Sequence, residues 1–456
     1  MVIQMKEKKF KELEIILSDF SCDKNCPYCT AKITKWEVVK DDIHMLSLYV
    51  GQLKELGYQF HYVTIGGNGE PTKHSFKKLK EIVELFDDYD IPVKRVLTSG
   101  NIFRKEEAEK YNLFTSHNWV FEVTTTSIDT NLDRKVLGYD HNYFQTDAFS
   151  KARIRLNYVL LKSNYSKMVD EIKAFLQKYP NIETLALKLL NVNTKTGLVD
   201  NPRSLWIVEN AISKDKREEI KAILDQNFTY SGEAYDTFSW KVDDKHEVYF
   251  SWKKMKYGFS DLVYYGNRFV NYQLEDVELP FLPKVYFACQ FNKKMVDEKR
   301  FTLKEDFRAK LIGNEDDFTN FNNHSFIKNS DGKLLYQYLG PFYNEMASDG
   351  NLTSSVCSEV VQTENDLIDK CDIFIAYFDS KLSPGSITEL TYASFKKKKI
   401  IIFYQVEDSV SYELKSSNWY PIVSARLVAG KENVVEIPVS GTDDVLEYFE
   451  KGKMTW

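Results

Sequence analysis

Along the N-terminal part of the chain, apolar positions alternate between two periods. Short β-rich runs (LEIILSDF, FHYVTIGG, VKRVLTSG, WVFEVTTTS, RIRLNYVLLK and ETLALKLLN) are separated by stretches with helical spacing: DDIHMLSLYVGQLKELGY, HSFKKLKEIVELFDDYD, FRKEEAEKYN, a short segment at 131–137, and YSKMVDEIKAFLQKY. Near-continuous apolar strands separated by amphipathic helices predict a parallel sheet covered on both faces. Six such units predict a partial (β/α)6 barrel of TIM type, a fold whose chemistry sits at the carboxyl ends of the strands. From about residue 193 the pattern changes to a helix, KDKREEIKAILDQ, and an aromatic alternating stretch at 235–272, which predicts antiparallel hairpins extending or capping the first domain. Pro280 and Pro283 in LPFLPK mark the boundary. The expected domains are therefore 1–282, with the barrel at 10–192 and the hairpin-rich extension at 193–282, and 283–456. In the second, KVYFACQF, a helical region at 305–312, LLYQYLGPFY, VVQTENDLIDK, CDIFIAYF, ITELTYASFKKK and KIIIFYQ resume the alternation and predict a smaller doubly wound parallel α/β domain.

Length agrees with two domains, since 456 residues exceed what one hydrophobic core usually serves. With 43% hydrophobic and 28% charged residues, the composition is that of a globular protein. A net charge of −6 argues against a nucleic-acid partner, which would call for a basic surplus. The oiliest runs are strand-sized, so no membrane span is expected, and MVIQMKEKKFKELE has no apolar core of a signal peptide, so the expected location is the cytoplasm. Six cysteines, three of them clustered, point to metal or redox chemistry rather than a disulfide scaffold.

Those three, Cys22, Cys26 and Cys29, form C-x3-C-x2-C after the first predicted strand. Thiolates are soft ligands for zinc or an iron–sulfur cluster. A closed zinc site needs a fourth ligand, and His44, His61 and His74 offer themselves only by count. Three thiolates on a four-iron cluster instead leave one iron open. The loop CDKNCPYC, with Tyr28 before its last cysteine, resembles the cluster loop of the radical S-adenosylmethionine superfamily, and IGGNGEPT resembles the motif with which that superfamily holds the cofactor's amino group. The resemblance covers residues 10–270. It implies a 4Fe-4S cluster on the three cysteines and S-adenosylmethionine held by Gly66, Gly67, Asn68, Gly69 and Glu70. Polar contacts would come from Thr98 and Ser99 in TSGN, from Thr126 and Ser127 in TTTSID, and from Asn157. It further implies a 5′-deoxyadenosyl radical that takes hydrogen from a substrate, and an electron donor such as a flavodoxin or ferredoxin.

The second domain resembles the nucleoside 2-deoxyribosyltransferases over residues 284–405. KVYFACQF matches the opening strand, and CDIFIAYFDSKLSPGSITELTYASF the core signature. YLGPFY also looks like an opening strand, but it lies too close to Asp372 and is read as the second. Cleaving an N-glycosidic bond needs a carboxylate for the cationic anomeric carbon and an acid for the departing base. The resemblance implies Glu389 as nucleophile, Tyr286 as the group that orients it, and Asp366 as the contact to the base. The chain departs from the family at Ser383, where an acid is usual, and at Cys289-Gln290, where Gly-Pro is usual.

Together these imply a bifunctional enzyme acting on one modified nucleoside or nucleobase, as in queuosine-to-queuine salvage followed by a lyase step, or in nucleoside biosynthesis. The alternatives are a second domain that only binds nucleoside or mediates oligomerisation, and a zinc-held scaffold without enzymatic function. A homo-oligomer is expected from the transferase resemblance.

Overall fold

The computed structural model describes residues 3–4, 8–17, 22, 24–29, 32, 39, 42–67, 69–138, 142–190, 201–234, 237–251, 261–271, 276–289, 307–313, 325–341, 354–378, 384–406 and 419–451. Asn68, Gln290 and Ser383 lie outside the described residues. The chain divides into two compact units, Met1–Ser47 with Leu56–Leu279, and Leu48–Glu55 with Pro280–Trp456. Among the described residues, no helix is long and apolar enough to cross a membrane.

In the first unit, strands β1 (Lys9–Leu17), β2 (Gln59–Gly67), β3 (Val93–Thr98), β4 (Val120–Thr125), β5 (Ile154–Leu160) and β6 (Ile182–Leu189) lie side by side in chain order, every neighbouring pair parallel. This is the partial barrel that the sequence pattern predicts. Local chemistry sets the helix limits. The short helix Thr130–Leu137 begins where the Asp129 side chain accepts from the amides of Asn131 and Leu132, and it stops at Gly138, which takes the left-handed conformation.

The aromatic stretch forms hairpins, as its alternation predicts, but they are part of the barrel sheet rather than a separate cap. Strands β7 (Thr229–Ala234), β8 (Thr237–Lys241) and β9 (Glu247–Ser251) are antiparallel to one another, and β9 joins β6 in parallel. Strand β10 (Asp261–Tyr265) joins β1 in parallel and carries β11 (Arg268–Val270) as an antiparallel partner. The result is one curled sheet of 11 strands in the order β11-β10-β1-β2-β3-β4-β5-β6-β9-β8-β7. An open half-barrel exposes the backbone groups of its outermost strands, and the hairpins satisfy them.

The strands divide their residues at period two. Leu13, Ile15, Val63, Ile65, Val96, Phe121, Val123, Ile154, Leu156 and Leu185 are buried. The alternate positions, Glu12, Thr64, Arg95, Glu122, Arg155, Asn157 and Lys188, line the hollow of the sheet. Aromatic rings fill the apolar side: Phe149 lies 5.3 Å from Phe103 and 4.9 Å from Phe144 between ring centroids, and Phe103 lies 5.2 Å from Phe121.

The second unit holds β12 (Lys284–Cys289), β13 (Phe326–Lys328), β14 (Leu334–Gly340), β15 (Ile373–Phe378), β16 (Lys399–Gln405) and β17 (Val434–Val439), in the order β13-β14-β12-β15-β16-β17. All neighbours are parallel except the β13–β14 edge pair. YLGPFY thus contributes to the second parallel strand, as its spacing predicts. The parallel strands follow the order second, first, third, fourth, fifth, so the winding reverses between β12 and β15. In doubly wound sheets, ligands bind outside the carboxyl ends of the strands at that reversal. Val285, Phe287, Ile373, Ile375, Ile401 and Phe403 pack into one core cluster, whereas Tyr286 and Phe374 stack at 5.6 Å on the opposite face.

Replacing the fully buried Phe149 by alanine removes the ring at the centre of the aromatic cluster, and we expect a loss of about 3–5 kcal/mol in urea unfolding. A loss below about 1 kcal/mol would show that the cluster does not support the half-barrel.

Candidate functional sites at the carboxyl ends of both sheets

The cysteine loop follows β1. Its backbone is fixed by the Cys29 amide donating to the Cys26 carbonyl at 3.2 Å and by the Lys24 amide donating to the Cys22 sulfur at 3.4 Å. From helix Pro202–Asn210, Arg203 donates to the Cys26 carbonyl at 3.4 Å and to the Asn25 side chain, and Trp206 packs on Tyr28 with centroids 5.9 Å apart. All three thiols are partly buried. Burial, together with neighbouring Cys29 and Cys22, pushes the Cys26 thiol up to about 12. The three sulfurs therefore sit within electrostatic range of one another, and holding them all as thiolates requires a cation among them. Among the described residues, no three His, Cys, Asp or Glu side chains already adopt a metal-holding arrangement.

At the end of β2 the main chain is approached closely. A Cβ on Gly66 would lie 2.7 Å from a Glu14 carboxylate oxygen, and one on Gly67 would lie 3.2 Å from the Leu17 carbonyl. A side chain at Gly66 would need the end of Glu14 to move, and one at Gly67 would press on the neighbouring main chain, so both positions favour glycine at the strand end. Glu70 is buried and spans two loops: its carboxylate accepts from the Thr72 hydroxyl at 2.6 Å and from the Ser99 amide at 2.5 Å. The structure thus gives Glu70 the task of joining the ends of β2 and β3. The buried Ser99 Oγ and Asn157 Oδ1 have no hydrogen-bond partner. The bare glycines and these two atoms fit a polar cofactor, and the donor chemistry of the three thiols fits an iron–sulfur cluster.

Thr126 and Ser127 are otherwise engaged. Asp133 accepts from the Thr126 amide and hydroxyl, both at 2.6 Å, and from the Thr125 hydroxyl at 2.9 Å. Ser127 donates to Glu171 at 3.0 Å, as does Tyr158. Their hydroxyl hydrogens are committed to two carboxylates that hold the loop after β4.

Below this rim the half-barrel encloses a hollow of about 600 Å³. At its centre is Glu122. Arg95 reaches its carboxylate at 3.1 Å, Arg155 at 3.5 Å and Lys188 at 4.0 Å, and the Asn157 amide donates to it at 2.6 Å. Burial works against its ionisation, but these partners outweigh it and hold the carboxyl at about 2. The apolar strand pattern hid this network. Its signal was nonetheless present, as charged residues set inside apolar strands: Glu12 and Glu14 in KELEI, Arg95 in VKRVL, Arg155 in RIRLN and Lys188 in LALKL.

In the second unit, β12 and the helix Pro384–Phe395 after β15 bring two predicted residues together. The Tyr286 hydroxyl donates to Glu389 Oε1 at 3.0 Å. Burial, then the nearby Glu364 carboxyl, raises Glu389 to about 7, with the Tyr286 hydroxyl and Arg308 opposing. Burial likewise raises Glu364, against Arg308, which is fully buried. Asp366 is not part of this group. It is exposed and lies with Gln362, Asn365 and Tyr392 along a surface groove. The sequence reading missed Glu364 and Arg308. Glu364 lies two residues before Asp366, about 200° around the helix, so only the helical phase could have separated them.

No protein-family model and no curated protein matches the chain. Solved structures are similar to parts of it. Streptococcus suis SuiB bound to precursor peptide SuiA aligns at 16% identity and a TM-score of 0.37, covering 48% of this chain and 47% of that one. The AdoMet-bound enzyme anSMEcpe aligns at 15% identity and a TM-score of 0.31, covering 39% of this chain and 50% of that one. The Clostridium botulinum CMP N-glycosidase BcmB aligns at 18% identity and a TM-score of 0.21, covering 37% of this chain and 98% of that one. The alignments to SuiB and anSMEcpe span about half of those chains, and the functional reading below rests on this chain's own residues.

The raised carboxyl predicts a pH dependence. Glu389 has an ordinary value of 4.5 and a folded value of about 7, so the folded state binds its proton more tightly than the unfolded chain does. Its contribution is fully present below pH 4.5 and is lost as pH rises through 7. Thermal unfolding from pH 4 to 9 should therefore show Glu389→Gln gaining on the parent by on the order of 3 kcal/mol at the alkaline end. Parallel curves would contradict the burial of an ionisable carboxyl.

Proposed function

We propose that the chain is a two-site enzyme for a modified nucleoside or its base, with radical S-adenosylmethionine chemistry in the half-barrel and N-glycosidic bond cleavage in the second unit. The Tyr286–Glu389 contact carries this reading. It couples residues 103 positions apart into a hydroxyl–carboxylate pair at the reversal of a doubly wound sheet.

In the second unit, an ionised Glu389 attacks the anomeric carbon as the bond to the base breaks. The departing nitrogen keeps the electron pair and takes a proton from a carboxylic acid, and water then releases the sugar. With a value of about 7, Glu389 is ionised in a large share of molecules near neutrality, and the Tyr286 hydroxyl donates to the charged form. Glu364, whose hold on its proton burial strengthens, is the better candidate for the acid than the exposed Asp366. Arg308 balances the charge of the pair.

In the half-barrel, Cys22, Cys26 and Cys29 would hold a 4Fe-4S cluster, and the backbone of Gly66 and Gly67 with Ser99 and Asn157 would hold S-adenosylmethionine. When bound, that pair supplies one-electron chemistry, fed by a donor such as a flavodoxin or ferredoxin. The chain's part is to pin the loop through Arg203 and Trp206, to expose bare backbone at Gly66, and to enclose the substrate in the hollow behind it. Salvage of a hypermodified base, with queuosine releasing queuine at one site and a lyase step at the other, fits two sites of this kind on one chain, because tethering raises the effective concentration of an intermediate.

Anaerobic reconstitution with iron and sulfide, followed by incubation with a panel of modified nucleosides, tests the reading by mass spectrometry. We expect about four irons per chain, free base that disappears in Glu389→Ala, and 5′-deoxyadenosine that disappears in Cys26→Ala but persists in Glu389→Ala when the free base is supplied. Zinc without iron would remove the radical half. Base release unaffected by Glu389→Ala would remove the glycosidic half.

A further inference from the structure

The cations inside the half-barrel are unequally partnered. Arg95 is saturated: it donates to Glu12 at 2.6 Å and to Thr64 at 3.1 Å, meets Glu122 at 3.1 Å, and lies over the Tyr62 ring at 4.1 Å. Arg155 and Lys188 are not. Both depend on the same Glu122 carboxylate, at 3.5 and 4.0 Å, beyond good hydrogen-bond distance, and the buried Arg155 Nε has no hydrogen-bond partner. On that carboxylate the Asn157 amide donates to Oε1 at 2.6 Å, while Oε2, which Arg95 approaches at 3.1 Å, has no hydrogen-bond partner, so it and Arg155 Nε face each other across a gap too long for a good hydrogen bond.

Around Glu122 three cations, Arg95, Arg155 and Lys188, face two carboxylates, Glu12 and Glu122, leaving one positive charge over. The other charged lining residues, Lys11, Glu14 and Glu233, bring the hollow to balance as a whole, so the excess is local. Lys188 lines the hollow and keeps 47% of its side chain accessible, so it is open to a solute that enters. Burial, with Arg155 and Arg95, lowers its proton affinity against the pull of Glu122 and Glu12, and a bound anion would oppose that lowering. The Arg155 guanidinium sits 5.9 Å from the Tyr62 ring and 5.6 Å from the Tyr249 ring, so aromatic contacts flank it beside its long ion pair with Glu122. Beside it, Asn157 Oδ1 is a buried acceptor without a donor.

We propose that Arg155 and Lys188 form an anion subsite in the half-barrel hollow, so that the substrate of this unit carries a phosphate or carboxylate group there. This deepens the radical reading above and rests on it for the word substrate, but binding at the subsite needs neither cluster nor turnover. An anion meeting a fork of two cations gains charge-assisted hydrogen bonds, and the hollow's 600 Å³ accommodates a nucleotide-sized molecule.

The test is calorimetric titration of the full chain, in the Glu389→Gln background to prevent cleavage, with uridine, uridine 5′-monophosphate and 5-carboxyuridine. The expected result is that at least one anionic probe binds about ten-fold or more tightly than uridine. Lys188→Met, at a solvent-accessible position, should abolish most of that difference, and so should Arg155→Gln. Preference for the monophosphate identifies a phosphate subsite, and preference for the carboxyl compound a carboxylate subsite. Equal affinity for all three probes, no binding of either anion, or a preference that survives Lys188→Met would overturn the proposal. Formation of 5′-deoxyadenosine in the reconstituted protein is read separately, so its presence alongside equal affinities would sink the subsite and leave the radical reading standing.

Discussion

The interior of the half-barrel depends on one carboxylate. Glu122 is almost completely buried, and burying a charge is prohibitive unless it is paired. Arg95, Arg155, Lys188 and Asn157 converge on it from strands on either side and keep it ionised. Because this carboxylate is paired, the concave face can stay polar while the opposite positions of the same strands build an apolar core. An ordinary TIM barrel fills its interior with branched aliphatic side chains. Here the same positions carry charges around open space, so the sheet encloses a reaction-sized hollow beneath the cysteine and glycine loops.

Those loops are tied to one another and to later parts of the chain. Glu70 joins the ends of β2 and β3, Asp133 and Glu171 fix the loop after β4, and Arg203 with Trp206 fastens the cysteine loop from a helix more than 170 residues away. Polar residues at strand ends divide accordingly into those spent on holding loops and those left with an open valence. Ser99 and Asn157 belong to the second group, and Thr126 and Ser127 to the first. In the second unit the division is simpler. One face of the sheet builds the core, while the other presents Tyr286 to a helix carrying Glu389, so a two-residue periodicity separates packing from chemistry.

Much of this was legible in the chain. Six apolar strands with helices between them could form only a covered parallel sheet, and the distant Tyr286 and Glu389 meet as the transferase resemblance implies. What was not legible depended on tertiary partners. The aromatic hairpins read as a cap or an extension, and sequence did not decide between them because it does not reveal that β1 and β6 would otherwise be bare edges. Glu364 was missed for Asp366 because two positions on a helix point to opposite sides. The charged hollow was missed because KRV and RIR within apolar strands look like solvent-facing interruptions until the sheet curls around them.

The claim on which the functional account turns is that the three cysteines hold a cluster with one iron open to a sulfonium ligand. Electron paramagnetic resonance of the dithionite-reduced, anaerobically reconstituted protein, recorded before and after adding S-adenosylmethionine, reads that iron directly. The account predicts a cluster signal whose g values shift when the cofactor is added. A cluster signal unchanged by the cofactor, or no cluster signal at all, would contradict it.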